Sequence, residues 1–460
     1  MPAAPRRDNT EPLAPTEPPV PRLRERVLRG SVWTIAAYAA GQALRLCSNL
    51  VLTRLLFPEV FGLMALANVF LYGLHMLSDV GIATSVIQNR RGDEPPFLHT
   101  AWTLQVVRGA SLSLVAILIA WPASRFYHEP RLLTVLPALG LTAAIGGFHS
   151  IGLVMLRRHM QIGRLTVLDL TTQVVGMVVT ILAAWRWPSV WALVLGSLVS
   201  ELTRLLLSHR LLPDLRPRFA WERDAVAEIR TFGKWIFLSS ALFFLAGQAD
   251  RLYLGRLGGM TVIGIYSIAM LFAESILNLV INLTHGVLYP ALSQVAREDV
   301  ARLRAAYYRA RLLLDAISLP ALGVLAMAGA ELIHLLYDQR YASAGWILRL
   351  LALRVAMTSI GTPCETCLFA IGQTRYGFYR GLVRAIWVVV GLPLGWRYGG
   401  LEGFVWVTAL SEIPVLAVLW PAFRRAGLLS PLREARAVGF FAGGAMAGVG
   451  VAWIARAIHP

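Results

Sequence analysis

Apolar segments long enough to cross a bilayer recur along almost the whole chain. They fall at about 31–53, 60–88, 98–121, 132–156, 164–185 and 188–208. After a polar stretch they resume at about 233–257, 261–290, 310–336, 343–371, 376–396 and 399–422, with a last one at about 437–457. Some 20 apolar residues in a helix span the hydrocarbon core. Backbone groups in lipid must find partners within their own structure, and these runs are too long and too little alternating for barrel strands. The expected fold is therefore an all-α polytopic membrane protein with about 12–13 transmembrane helices. Composition agrees: 57% of the 460 residues are apolar and 15% charged, against roughly 25% charged in soluble domains. A soluble globular enzyme, a disordered chain and a disulfide-rich secreted module are excluded as classes.

The formal net charge is +17. In a soluble protein that excess would point to nucleic acid. Here it sorts by loop. With the N-terminus in the cytoplasm, the even-numbered loops carry Arg90 and Arg91, Arg157, Arg158 and Arg164, then Arg210 to Lys234, Arg297 to Arg311, Arg375 to Arg384, and Arg424 to Arg436. The odd-numbered loops hold mainly Arg125, Arg131, Arg186, Arg340 and Arg397. This is the asymmetry of the positive-inside rule, and it reads the excess charge as an orientation signal and an attraction to anionic lipid, without a nucleic-acid role.

No metal or cofactor is expected. Cys364 and Cys367 have C-x-x-C spacing but no second ligand pair, the histidines are scattered, and no phosphate-binding glycine loop occurs. Residues 1–29 are rich in Pro and Arg and lack a signal-peptide core. They read as a disordered cytoplasmic tail. The polar-faced stretch with Leu292, Val295, Ala296, Val300 and Leu303 at helical spacing reads as an amphipathic helix lying on the membrane.

An internal repeat organises the spans. At an offset of 202 residues, Trp33 falls on Trp235, Leu52 on Leu254, Arg54 on Arg256, Gly62 on Gly264 and Ala67 on Ala269. Six intervening crossings are an even number, so the two halves share one orientation and form parallel-repeat six-helix bundles around a central cavity. The expected organisation is the tail (1–29), an N-terminal six-helix lobe (30–207), a cytoplasmic linker (208–232), a C-terminal six-helix lobe (233–424), and a loop with an additional span (425–460).

Polar residues form stripes inside the spans. The first carries Thr34, Tyr38, Gln42, Arg45, Asn49 and Thr53; the second Asn68, Tyr72, His75 and Asp79. The seventh has Ser240, Gln248, Asp250 and Arg251, and the eighth Glu274, Asn278, Asn282 and His285. A charge at a helix centre costs about 2.5–3.5 kcal/mol on insertion scales, so each needs a partner or water. Two readings stay open. Arg45 and Arg251 face one wet cavity from opposite lobes, where guanidinium groups would grip phosphate oxygens; or each is tied up with an acid such as Asp79 or Asp250. On the first reading Arg45, Arg251, Gln42, Asn49, Asn68 and Gln248 bind substrate, and Asp79, Asp250 and Glu274 are candidate carriers of a coupling ion.

Gly30-Ser31-Val32-Trp33, Leu52-Thr53-Arg54-Leu55-Leu56, Pro58-Glu59-Val60-Phe61-Gly62 and Leu77-Ser78-Asp79-Val80-Gly81 resemble the opening of polysaccharide flippases. Pro363 followed by Leu368-Phe369-Ala370-Ile371-Gly372-Gln373 resembles their tenth-helix ending. These are the Wzx-type, lipid-linked oligosaccharide flippases of the multidrug/oligosaccharidyl-lipid/polysaccharide exporter superfamily. The resemblance implies a cavity lined mainly by helices 1, 2, 7 and 8. It implies alternating access, driven by an ion gradient, that carries a polyprenyl-diphosphate-linked oligosaccharide to the outer leaflet. The partners it implies are that glycan, membrane lipid and a polysaccharide polymerase or chain-length regulator. A thirteenth span departs from the twelve- and fourteen-helix plans of the superfamily. Two other classes compete. A drug or organic-cation antiporter of the same fold would want a negative cavity. A membrane-embedded glycan polymerase or glycosyltransferase would want a large polar loop with paired carboxylates, and the outer loops here are short.

Overall fold

The computed structural model describes residues 21–79, 81–159, 161–210 and 218–458, and among them every regular element is helical. The first half comprises α1 (Pro21–Leu55), α2 (Pro58–Leu77), α3 (Ile82–Gln88), α4 (Pro95–Tyr127), α5 (Leu132–Gly147), α6 (Gly152–Arg158), α7 (Ile162–Arg186) and α8 (Val190–Arg210). The second comprises α9 (Arg223–Leu257), α10 (Gly259–Leu283), α11 (Tyr289–Glu298), α12 (Val300–Leu336), α13 (Ala344–Ala370), α14 (Arg375–Ala409), α15 (Glu412–Arg425) and α16 (Pro431–Ile458). Proline sets several starts: α2 and α4 open with proline in the first turn, where the missing N–H has no helical partner to lose.

Nine of the described helical stretches are long and apolar enough to cross a membrane, and α5 with α6, bent by 65°, makes a tenth. One of the nine is a hairpin. Gly400 has φ 55° and ψ −140°, a conformation that favours glycine, and there the 51-residue stretch Arg375–Arg425 turns back on itself. The turn brings Trp387 Nε1 to donate to the Val407 carbonyl at 2.9 Å. It also sets Gly403 where a Cβ would lie 2.3 Å from the Gly395 carbonyl oxygen. The chain is thus a multi-pass membrane protein. Its two helical bundles open with α1 and α9, each 35 residues long.

The lobes meet along α2 and α10. A Cβ on Gly62 would lie 1.8 Å from the Met260 carbonyl oxygen, and one on Gly264 would lie 1.9 Å from that of Pro58. Each contact maps onto the other under the sequence repeat, so the pseudo-twofold axis passes between the two glycines. Leu56, Leu63, Ala67, Ile263, Ala269 and Leu348 bury their side chains completely in one core that spans both halves at this end. Tyr341 closes it by donating to the Leu56 carbonyl at 3.0 Å.

The sixteenth helix is part of the second bundle. Gly323 and Gly444 let α12 and α16 approach backbone to backbone, a Cβ on Gly444 lying 2.2 Å from the Pro320 carbonyl oxygen. Fully buried Arg311 of α12 donates to both oxygens of Glu434 on α16, at 2.6 and 2.7 Å, and pairs with Asp315 at 3.0 Å.

Three expectations are corrected. The tail does not run to residue 29: helical backbone begins at Pro21, and residues 1–20 lie outside the described residues. The linker is shorter than 208–232, because α8 runs to Arg210 and α9 starts at Arg223. Its end is docked rather than free. The Ala220 and Glu222 N–H groups donate to the Thr103 and Thr100 hydroxyls of α4, Phe219 stacks 4.9 Å from Trp102, and Arg91 pairs with Glu94, Glu222 and Glu228. Finally, the amphipathic stretch at 292–303 does not lie on the membrane. Asp299 is extended and breaks it into α11 and α12. Leu292 and Leu303 are buried in a cluster with Cys367 and Phe423, so protein rather than lipid covers its apolar face.

Candidate functional site

Four of the candidate residues come together at the start of the second lobe. On α9, Arg251 lies one turn after Gln248, and its guanidinium donates to Gln248 Oε1 at 2.6 Å. It reaches across to α10 and pairs with Glu274 at 2.8 Å. Asp250 Oδ1 accepts the Arg251 N–H at 2.8 Å, and its other oxygen accepts the Tyr266 hydroxyl at 2.7 Å. Asp250 is buried, whereas Glu274 is open at its edge. Arg251 therefore has an acid partner, but it is Glu274, neither Asp79 nor Asp250 by side-chain pairing.

Arg45 sits differently. It lines a pocket of about 290 Å³ between α1 and α7, with Tyr38, Gln42, Asp169 and Gln173. Its side chain is exposed, and among the described residues it makes no ion pair. Gln173 Nε2 donates to the Gly41 carbonyl at 2.8 Å and fixes the two helices together. Tyr38 donates to the Ser275 carbonyl at 2.8 Å, and Gln42 donates to the Ser275 hydroxyl. Ser275 follows Glu274 in the chain, so one turn of α10 joins the Arg45 face of the first lobe to the Arg251 cluster of the second.

The other candidates scatter. Asn49 Oδ1 accepts from Tyr337, the residue after α12, at 2.8 Å, which makes it an inter-lobe contact. Asn68 is exposed on α2. The stripe on α2 does not face one place: Tyr72 packs 6.4 Å from Phe244 of α9, while His75 and Asp79 line a cavity inside the first lobe. Asp79 also accepts the Gly81 N–H at 2.9 Å and shapes the turn into α3.

Sequence reasoning, which places Arg380 and Arg384 in a cytoplasmic loop, does not join them to Glu412 in the charged network of the second lobe. Glu412 is fully buried, pairs with Arg384 at 3.2 Å and stands 3.9 Å from Arg380, which itself bonds Glu365. Arg354 is buried nearby and donates to the Met270 sulfur at 3.5 Å. Arg380 and Arg384 sit at i,i+4, a spacing visible in the sequence, and between them they face two carboxylates, Glu365 and Glu412. No group of His, Cys, Asp and Glu that could hold a metal occurs among the described residues.

Comparison with known proteins follows from this geometry. Residues 51–346 match the model of a family described as polysaccharide biosynthesis protein. The lipopolysaccharide biosynthesis protein WzxC of Escherichia coli K12 is 24% identical over 385 residues, covering 83% of this chain and 77% of the relative. The succinoglycan biosynthesis transport protein ExoT of Rhizobium meliloti is 24% identical over 402 residues, covering 86% and 80%. Among solved structures, the lipid II flippase MurJ in an inward closed conformation superposes with a TM-score of 0.69 at 11% identity, covering 93% of this chain and 92% of that one. An inward-facing multidrug resistance MATE transporter of the MOP superfamily gives 0.65 at 15% identity, covering 85% and 94%. The fold is thus shared with those transporters, and the chain belongs to the family of polysaccharide biosynthesis proteins.

Proposed function

We propose that this protein is a flippase, not an enzyme. It carries a polyprenyl-diphosphate-linked oligosaccharide from the cytoplasmic to the outer leaflet, for assembly of a capsule, exopolysaccharide or O-antigen, by alternating access of lobes 30–207 and 233–424. It sits in the bacterial inner membrane with its N-terminus in the cytoplasm, where the arginine-rich loops also meet anionic lipid.

The carrying observation is Arg45: a guanidinium on α1 without an ion pair among the described residues, beside Gln173 and beside Gln42, which bonds Ser275 next to the Glu274–Arg251 pair. A diphosphate cannot enter hydrocarbon unaided, because an unpaired ionised group costs tens of kcal/mol on the idealised scale. Arg45 supplies a fixed charge in place of water. The amides supply partners for sugar hydroxyls, and the prenyl tail stays in lipid. Export of organic cations fits less well, because Glu274 and Asp250 are already held by Arg251 and Tyr266. A polymerase or chain-length regulator that receives the flipped glycan is the fitting partner.

The test is reconstitution with a labelled polyprenyl-diphosphate sugar. Native protein is expected to move label to the far leaflet, and Arg45→Ala to slow it at least about tenfold, the loss of roughly 1.4 kcal/mol. Translocation by Arg45→Ala at the native rate overturns the assignment.

A further inference from the structure

The first lobe holds a second polar site, inside the bundle. A half-open cavity of about 440 Å³ is lined by first-lobe residues alone, Glu201 of α8 and His149 among them. His149 occupies the break between α5 and α6. Its Nε2 lies 3.3 Å from Glu201 Oε1 and makes no hydrogen bond. Its backbone is held in place, since Gln105 Nε2 and Trp102 Nε1 donate to its carbonyl at 3.1 and 3.2 Å. Gly146 makes room for the acid: a Cβ there would lie 2.9 Å from Glu201 Oε1.

We propose that Glu201, faced by His149, is a proton-exchange site whose occupancy is linked through Arg204 and Asp169 to anion binding at Arg45. This rests on the flippase reading. Charged groups face the pair from every side. They are His75 of α2 and Asp79 in the turn after it, Arg108 of α4, Arg157 of α6, and Arg204 and His209 of α8, with Asp169 of α7 beyond Arg204; α3 and α5 contribute none. Among the described residues, Glu201 has no arginine within ion-pair distance, and its only ionisable partner at that range is an imidazole. Such a carboxylate is not fixed in its charged form. A third cation beside Arg108 and Arg204 is disfavoured, so the proton adds to the Glu201 carboxylate, and the new O–H donates to neutral His149 Nε2. No other bond changes.

The link to Arg45 is a short chain of contacts. Arg204 lies one turn from Glu201 and pairs with Asp169 at 2.9 Å. Asp169 also lines the Arg45 pocket. Removing the Glu201 charge leaves Arg204 to act on Asp169 alone, draws that acid away from Arg45 and raises the positive potential where the diphosphate binds. Linkage is reciprocal, so anion binding also draws a proton onto Glu201.

The test is equilibrium binding of a polyprenyl diphosphate to purified full-length protein in detergent, from about pH 8 to about pH 5.5. Native protein is expected to tighten by about five- to tenfold more than Glu201→Gln, whose affinity stays at the low-pH level throughout. Comparing the two at each pH cancels titration of the ligand itself. Arg204→Gln, a change at a positioning residue, is expected to abolish the difference while circular dichroism and melting stay native. An equal pH dependence in native and Glu201→Gln protein overturns the proposal alone. Absence of diphosphate binding at every pH overturns it together with the flippase reading.

Discussion

Gly62 and Gly264 lie backbone against backbone across the lobe seam, each packed on the residue four positions before the other, Met260 and Pro58. Any side chain there must push the lobes apart. Gly62→Leu is therefore expected to shift the closed seam toward opening by about 1–3 kcal/mol, the usual cost of overpacking. Met260 is buried in the closed seam. A cysteine placed at Met260 should react faster with a membrane-impermeant maleimide in the Gly62→Leu background, and unchanged reactivity would contradict the seam.

Glu274 holds the guanidinium of Arg251, which we propose as a substrate contact. Glu274→Gln removes the carboxylate at 2.8 Å and leaves Gln248 and Asp250 in place. Affinity for a polyprenyl diphosphate is expected to rise about tenfold, equivalent to 1.4 kcal/mol. Arg251→Ala should lower it. Both are read by equilibrium binding in detergent, and weaker binding by Glu274→Gln would remove Arg251 from the substrate path.

Glu434 neutralises a buried arginine. With Glu434→Ala, Arg311 keeps only Asp315 and the Tyr307 hydroxyl. Stranding a buried charge costs about 3–5 kcal/mol, and the surviving Asp315 contact places this case at the lower end. The expected outcome is a clear drop in detergent melting temperature, with α16 loosened from α12 and exposed first to proteolysis.

Gly400 carries a positive φ at the hairpin tip, where a Cβ meets open space but strained backbone. Gly400→Ala is expected to cost about 1–3 kcal/mol from that strain alone, read as lowered melting with transport retained.

Arg91 holds the docked linker through the partly exposed carboxylates of Glu222 and Glu228, and pairs so open to solvent add little to stability. Arg91→Ala should leave the melting temperature unchanged and speed tryptic cleavage at Arg218. Equal cleavage rates would mean that Thr100, Thr103 and Trp102 suffice to hold the segment.

Much of this architecture was legible because lipid imposes simple rules. Span lengths follow from bilayer thickness. The repeat surfaced because Gly62 and Gly264 serve the same close approach, and only glycine serves it. The site was less legible. Arg251 and Glu274 are neighbours only because α9 and α10 form a hairpin, and helical periodicity within one span cannot show a partner on the next. Asp79 shared a stripe with Asn68, yet α2 borders both the seam and the first-lobe cavity, so one stripe served two surroundings. Glu201 and Arg204 went unremarked, although an i,i+3 charged pair inside an apolar span was a visible signal. His149 was hidden by the kink between α5 and α6, which no hydropathy pattern marks.

The docked linker has a mechanical consequence. The glycine seam lies near one end of α2, and the strap on α3 and α4 lies toward the other, a helix length of about 30 Å away. Rotation pivoting at the seam displaces that far end most. Yet α9 runs unbroken from the strap toward the seam, its foot bonded to the first lobe while Leu242 and Tyr253 rest on α14 of the second. Two rigid bodies cannot turn against each other with such a rod fastened to both, so any such turn requires α9 to bend or its foot to leave the first lobe.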